Sequence, residues 1–352
     1  MLAGLDGYLV SHAFLERRVA MPADGLAADA RRRNLAQWRA WSAALGPAST
    51  TRALLQNGAA PLAAALGFDP PADIRELTAA TSATLRPIGS AGSVGLIVAP
   101  FGERLDPLWR PAVSEALRRG ASWCVLFNGT HLRIVDASRL YARRYLEFDL
   151  DLAVDGSHTL AALWLAASAG ALCGAADAGE SLRALIADSD HHAAAVCRSL
   201  RDGVLAASSG ILGALTGGGR SRPVRSLHDG FEQSLTIVYR ILFLLFAEAR
   251  SLVPLWHPVY RESYSVEALR TAAAASRHSA GWWDALRAMA RLAHAGCRAG
   301  ELRVTPFNGR LFAPARTPLA ERRDLDDEAA RGAVLALSTR RAPDGAGRER
   351  IS

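Results

Sequence analysis

The chain has 352 residues, half of them of hydrophobic type, with 41 Lys+Arg against 34 Asp+Glu and a formal net charge of +7. That length accommodates about two domains and a core that needs neither disulfides nor a metal. All 41 basic residues are arginine. The missing lysine fits a GC-rich codon bias, and it excludes mechanisms that need an ammonium group: the Walker A phosphate loop, Schiff-base catalysis and the lysine of the common metal-dependent nuclease signature.

The positive balance favours a polyanionic partner, because guanidinium groups neutralise phosphate and release its counterions. The excess is modest for the length, so nucleic acid is favoured over a merely basic solvated surface, but basicity alone does not decide between them. Cys124, Cys173, Cys197 and Cys297 form no CxxC and have no zinc-like spacing, so they read as small hydrophobes in a reducing compartment. The start, MLAGLDGYLVSHAFLERR, carries Asp6 and no basic region ahead of a long apolar core, unlike a signal peptide. Thr159 to Ala176 is uncharged but rich in Ala, Gly and Ser, and Leu235 to Ala247 is interrupted by Arg240. Both read as buried helices rather than membrane spans, so a cytoplasmic location is expected.

Residues 1–66 have a helical pattern, with Leu35, Trp38, Trp41 and Leu45 at spacings of three and four, closed by the Gly67-Phe68-Asp69-Pro70-Pro71 turn. The period then changes. Val94 to Ala99 is a short continuous apolar run, the mark of a buried strand, and Pro107 to Arg119 is a helix that Gly120 stops. Trp123 to Phe127 and His131 to Val135 flank Asn128-Gly129, a strong hairpin signal, and Tyr145 to Leu150 alternates as a further strand. Residues 67–156 are therefore expected to form a small α/β module.

From Ser157 to 341 the pattern is helical throughout, apart from a Gly-rich break at 216–223. Asp188-Ser189-Asp190-His191-His192 is expected to start a helix with acids at its N-terminus, since no further metal ligands sit at helical spacing. Ser226 and Asp229 resemble a capping box opening a long helix, Leu227 to about Leu252, that is apolar almost all round and ended by Pro254. Arg240 and Glu248 lie about 80° apart around it among Tyr239, Phe243 and Phe246, so each must be paired or reach a surface. With Arg250, these residues suit a structural ion-pair network or docking to a neighbouring domain. Residues 342–352 form a polar tail.

The order strand, helix, hairpin resembles the core of PD-(D/E)XK nucleases, in which an Asp and an acid-x-Lys pair on adjacent strands hold the metal that activates water. Here the corresponding strand reads Leu96-Ile97-Val98-Ala99 and is neutral. The nearest acids are Glu103, Asp106 and Glu115, in the following loop and helix, and Arg104 stays protonated where lysine would serve. A degenerate nuclease-like module is expected, with a metal-dependent endonuclease of rearranged acids as the alternative. Asp69-Pro70-Pro71-Ala72 resembles an amino-methyltransferase motif but lacks the aromatic that stacks on an extruded base, and no S-adenosylmethionine loop lies nearby. Arg133, Arg139, Arg143 and Arg144 around the hairpin, and Arg220, Arg222 and Arg225 in the Gly-rich break, suit phosphate contacts and equally suit solvation.

Several stretches are similar to the region that precedes the methylase in Eco57I-like type IIG restriction-modification enzymes and large N6-adenine DNA methylases. They are APFGERLDPLWR, WCVLFNGTHLRIVDASRLYARRYLEFDL, the run Leu235 to Arg250 with SLVPLWHPVYRESYSVEALR, Trp282-Trp283, Phe307-Asn308-Gly309-Arg310-Leu311-Phe312, and Arg348 to Ser352. The resemblance is most specific over 93–151 and 227–314. It implies an α+β chain, a degenerate PD-(D/E)XK-type module followed by a mostly helical connector, truncated before the methyltransferase domain. It further implies double-stranded DNA, the parent's methyltransferase and target-recognition domains as partners, and S-adenosylmethionine, with Mg2+ for a nuclease, as cofactors of the parent alone. No catalytic residue or metal ligand is carried over to this chain. A helical interaction module without DNA contact remains a second alternative.

Overall fold

The structure is a computed structural model that describes residues 2–20, 25–139, 142–175, 179, 181–217, 227–275, 280–322, 325–341 and 348–350. It is mixed α+β and divides into two compact units, 1–194 and 195–352.

The first unit opens with a strand, β1 (Leu5–Gly7), followed by α1 (His12–Ala20), α2 (Gly25–Ser42), α3 (Thr51–Leu54), a π-helical turn (Leu55–Ala59) and α4 (Ala60–Ala65). Then come β2 (Ala72–Leu77), β3 (Ala80–Leu85), β4 (Val94–Val98), α5 (Trp109–Arg118), β5 (Trp123–Phe127), β6 (His131–Asp136) and β7 (Tyr145–Asp149). The helices α6 (Leu150–Asp155), α7 (Ser157–Ala167) and α8 (Ala169–Cys173) close the unit, together with the first part of α9 (Leu182–Thr216).

One seven-stranded sheet runs β1-β7-β6-β5-β4-β3-β2. Only β4 and β5 are parallel, and α5 makes the crossover a parallel pair requires; the other neighbours are antiparallel. Because side chains alternate across a strand, the central strands divide their residues between two cores. Leu96, Val98, Trp123, Val125 and Phe127 join α1, α2, α4, α7 and α8 on one face, while Ile97, Cys124 and Leu126 meet Ala112 and Ala116 of α5 on the other. A strand buried on both faces can have no polar phase, hence the unbroken apolar runs.

The hairpin, the α5 stretch and the β7 strand stand where the sequence places them. Two expectations fail. Residues 1–66 are not wholly helical: β1 adds to the sheet edge, Leu5 opposite Phe148 and Gly7 opposite Leu146. Three residues are too short for a periodicity signal. The β2–β3 hairpin was also not anticipated; in β2, at the edge, Ile74 and Leu77 are three apart and do not alternate, and β3 is a small Ala-Thr-Ser-Ala-Thr run before Leu85.

The boundary between the units falls within α9, which starts at Leu182. Residues 188–192 are therefore helix interior and not a helix start. Leu182, Leu185 and Ile186 pack in the first unit; Ala207, Ile211 and Leu215 pack in the second.

The second unit continues with α10 (Leu227–Ala249), α11 (Pro258–Ser263), α12 (Val266–Ala275), α13 (Trp282–Ala295), β8 (Cys297–Ala299), β9 (Leu302–Val304), α14 (Gly309–Phe312), α15 (Asp327–Ser338), β10 (Thr339–Arg341) and β11 (Arg348–Arg350). Ile237, Val238, Ile241 and Leu244 of α10 meet Trp282, Trp283 and Met289 of α13 and Val334 and Leu337 of α15. At the α9–α15 approach, a Cβ on Gly203 would lie 2.1 Å from the Ala336 carbonyl oxygen, so only glycine fits there.

The unit is mostly helical, as expected, but not entirely: β8–β9 and β10–β11 are small antiparallel hairpins. α10 ends at Ala249, before Pro254, and Ser251 just beyond has the left-handed φ of 53°. α10 is long and apolar enough to cross a membrane, and half of it is buried inside this unit. The Ser226 expected to cap it lies outside the described residues.

Candidate nucleic-acid interface

The hairpin expected to carry phosphate contacts turns on Asn128-Gly129-Thr130. Asn128 Oδ1 accepts from the backbone N–H of Thr130 (3.0 Å) and His131 (2.6 Å), and its Nδ2 donates to the Glu103 carbonyl at 2.8 Å. Gly129 has φ +90°, and a Cβ there would come within 2.6 Å of the Phe101 ring. The turn and the 100–106 loop are thus locked together, which brings Asp106 beside β6.

Arg133 is buried at the centre of this arrangement. Its Nε donates to Glu147, the residue directly opposite on β7, its Nη1 donates to Asp106 Oδ1 at 3.2 Å, and its guanidinium lies 4.1 Å above the Tyr145 ring. Burial works to remove its charge, but Glu147 and Asp106 more than reverse that and hold its pKa above the ordinary value. The same geometry lowers Asp106: burial opposes, and Arg133 and Arg104 prevail. Arg133 is therefore committed to fastening strands and loop.

Arg144 has comparable commitments. It donates to the carbonyls of Tyr8 (3.3 Å) and Leu9 (3.1 Å) and to Asp190 at 2.9 Å. Arg139 stands 3.9 Å from both Asp136 and Asp190. Asp190 of α9 thus gathers two of the candidate arginines. Arg143 is exposed at φ +42° and has no ion-pair partner among the described residues. Arg220, Arg222 and Arg225 lie outside the described residues. In the Asp188–His192 segment, Ser189 Oγ accepts from Ser11 N–H (2.9 Å) and His192 Nε2 is 3.1 Å from Arg17 Nη1. Among the described residues no cluster of three or more His, Cys, Asp or Glu could hold a metal.

The acids weighed as nuclease ligands do not converge. Glu103 contributes its carbonyl to the turn, Asp106 binds Arg104 and Arg133, and Glu115 is enclosed by arginines on α5 and β2. Arg118 donates to Glu115 at 3.0 Å, Arg119 donates to it more closely still, and Arg75 lies 3.8 Å away. Arg119 also reaches Thr84 Oγ1 (2.8 Å) and Ser82 Oγ (3.3 Å) on β3. Burial acts to raise the Glu115 carboxyl, yet the hydrogen bonds and charges of Arg118 and Arg119 hold it at about 2. The adjacent strands β3 and β4 carry no ionisable side chain. Mg2+ does not fit these residues.

In the second unit, Arg240 and Glu248 do not form the ion pair with each other that one expectation allowed. Arg240 donates to the carbonyls of Leu311 (2.9 Å) and Ala313 (2.8 Å) and to Thr317 Oγ1 (2.8 Å). Burial lowers its pKa, and the more distant Glu321 offsets that only in part. Glu248 accepts from the N–H groups of Val266 (2.6 Å) and Glu267 (3.2 Å), donors at the start of α12 that have no carbonyl a turn earlier in the helix. Tyr239 is exposed, and Arg250 lies 5.8 Å from the Phe246 ring centre. Phe231, Leu235, Tyr239, Leu242 and Phe246 thus form an exposed or half-buried stripe along α10 at spacings of three and four, where an apolar surround was expected.

Arg298 and Arg303 were not singled out from the sequence. They sit directly opposite each other on β8 and β9, and both are exposed. Gly300 in the two-residue turn, followed by Leu302-Arg303-Val304 with its apolar residues two apart, was the available hairpin signal. No family model matches the chain, and neither curated proteins nor solved structures yield a match.

Proposed function

We propose that the chain is a non-catalytic module of a restriction-modification type adenine-N6 DNA methylase, contributing DNA-backbone contacts and docking to a methylase core. The observation that carries it is the pairing of a strand–helix–hairpin core of nuclease-like order with neutral β3 and β4, where a nuclease needs acids and a lysine. Glu115, the closest buried acid, is held by Arg75, Arg118 and Arg119, whose positive charges oppose a metal cation there. The sequence similarity to the pre-methylase region supplies the biological context. The apolar stripe Phe231, Tyr239 and Phe246 supplies a face for the methylase core. Exposed arginines such as Arg143 supply the phosphate contacts.

Binding of a labelled DNA duplex across a salt series, together with incubation of plasmid in Mg2+ or Mn2+, tests this function. The expected result is binding that weakens steeply with salt and a plasmid that stays intact. Cleavage would favour the rearranged endonuclease; absence of salt-sensitive binding would favour a helical interaction module.

A further inference from the structure

Like charges placed directly across an antiparallel pair destabilise it. Arg298 and Arg303 are such a pair, on a hairpin of only three residues per strand, and neither has an ion-pair partner among the described residues. The exposed Glu301 sits in the turn itself. On the other side of the hairpin, Leu302 and Val304 pack on Ala247, Val253 and Tyr260, so the arginines are held outward by a buried anchor. Arg303 lines a cleft of about 430 Å³ whose walls also include Phe243, Phe307, Leu252 and Trp256 and contain no acid, while Arg298 faces Arg303 across the hairpin. Trp256 is 67% exposed, an unusual setting for so large an aromatic. Its ring meets His257 edge-on, with centroids 5.4 Å apart.

A flat aromatic left open in the same cleft as Arg303, which is itself opposed by Arg298 across the hairpin, matches one ligand chemistry, a nucleobase that carries phosphate. Stacking needs the exposed ring face, and phosphate relieves the repulsion between the arginines. We propose that this cleft binds an unpaired nucleotide of a single nucleic-acid strand, with the base on Trp256 and the backbone phosphates on Arg298 and Arg303. A duplex keeps its bases stacked inside and cannot use Trp256. The choice of nucleic acid as the source of the ligand rests on the DNA-binding function proposed above.

The test uses the full chain and measures anisotropy of a labelled oligothymidylate, a blunt duplex of the same length as a separate arm, and an unlabelled mononucleotide as competitor. Trp256→Ala is expected to weaken single-strand binding about ten-fold and to leave the duplex arm unchanged, while Trp256→Phe keeps most of the affinity. The double variant R298A/R303A is expected to reduce the slope of log K against log salt by about 1.4, two phosphates' worth for a single strand. All these side chains are exposed, so the variants fold, which circular dichroism checks. Displacement by mononucleotide at matched nucleotide concentration supports the site and assigns it to free nucleotides. Single-strand affinity unmoved by Trp256→Ala, or equal losses in both arms, overturns the proposal. Duplex binding that fails while single-strand binding and its Trp256 dependence persist sinks the proposed DNA-backbone function and leaves this site standing.

Discussion

Among the described residues, Arg133 of the sheet unit and Arg240 of the helical unit are both buried, and they are compensated in opposite ways. Arg133 in the sheet unit is surrounded by carboxylates and an aromatic ring, and its charge is reinforced; Arg240 in the helical unit is met by carbonyls and a hydroxyl, and its charge is weakened. The difference follows from what each fastens. Arg133 crosses between adjacent strands, whose backbone groups are already paired in the ladder, so only side chains are left to receive it. Arg240 projects from α10 onto the segment 311–317, where the end of α14 leaves the Leu311 and Ala313 carbonyls open to it. A guanidinium with five donors serves both purposes, and a chain without lysine uses it for both.

The sharpest way to break this comparison is to remove the charge at each place without removing bulk. Arg133→Met leaves Glu147 half-buried opposite an apolar side chain and strips Asp106 of its buried partner. A loss of about 3–5 kcal/mol is expected, read as a fall in the urea midpoint of the sheet unit's transition. Adding Glu147→Met removes the orphaned carboxylate and is expected to restore most of that loss. If the double variant is as unstable as the single, Arg133 acts by packing and the electrostatic account fails.

Glu115 provides the next test, because it carries the acid side of the same unit. Its folded pKa of about 2 lies below the ordinary 4.5, so between those values the unfolded chain binds the proton more readily. Its contribution is fully present above pH 4.5 and is lost as pH falls towards 2. A displacement of that size corresponds to about 3 kcal/mol at most, reduced because solvent screens the half-exposed Arg75 and Arg118. Glu115→Gln should be destabilised at pH 7 and converge on the parent only as pH falls through about 2. A constant gap across that range would show that shape, and not charge, holds the cluster.

The legible part of the fold was the part where burial leaves a periodic trace. Val94 to Val98, the α5 amphipathic stretch and the Asn128-Gly129 hairpin announced themselves, because apolar runs and turn residues are local. β1 is recruited to the sheet by β7, far along the chain, and β2 pairs at the edge with β3 alone, so their own residues say little. The candidate site was harder still. Proximity to a turn suggested that Arg133 and Arg144 face solvent, but Glu147, Asp106 and Asp190 approach them from 14, 27 and 46 residues away. Arg298 and Arg303 are five apart in the chain, and it is only their register across the hairpin that opposes them.

Arg240→Met completes the comparison from the helical side. The substitution leaves the Leu311 carbonyl and the Thr317 hydroxyl without this donor, whereas the Ala313 carbonyl keeps the Arg316 N–H; it strands no charge, and it relieves the burial of a guanidinium that has no adjacent carboxylate. The expected loss is therefore smaller than at Arg133, about 2 kcal/mol. It should be accompanied by faster hydrogen exchange over 309–317, since the arginine is what ties that segment to α10. Because no partner charge is orphaned, no second substitution on α10 should rescue it. Equal losses at Arg133 and Arg240, together with unchanged exchange at 309–317, would mean that both sites respond to lost volume alone. Buried guanidiniums in this chain would then be space-fillers whose charge is merely tolerated.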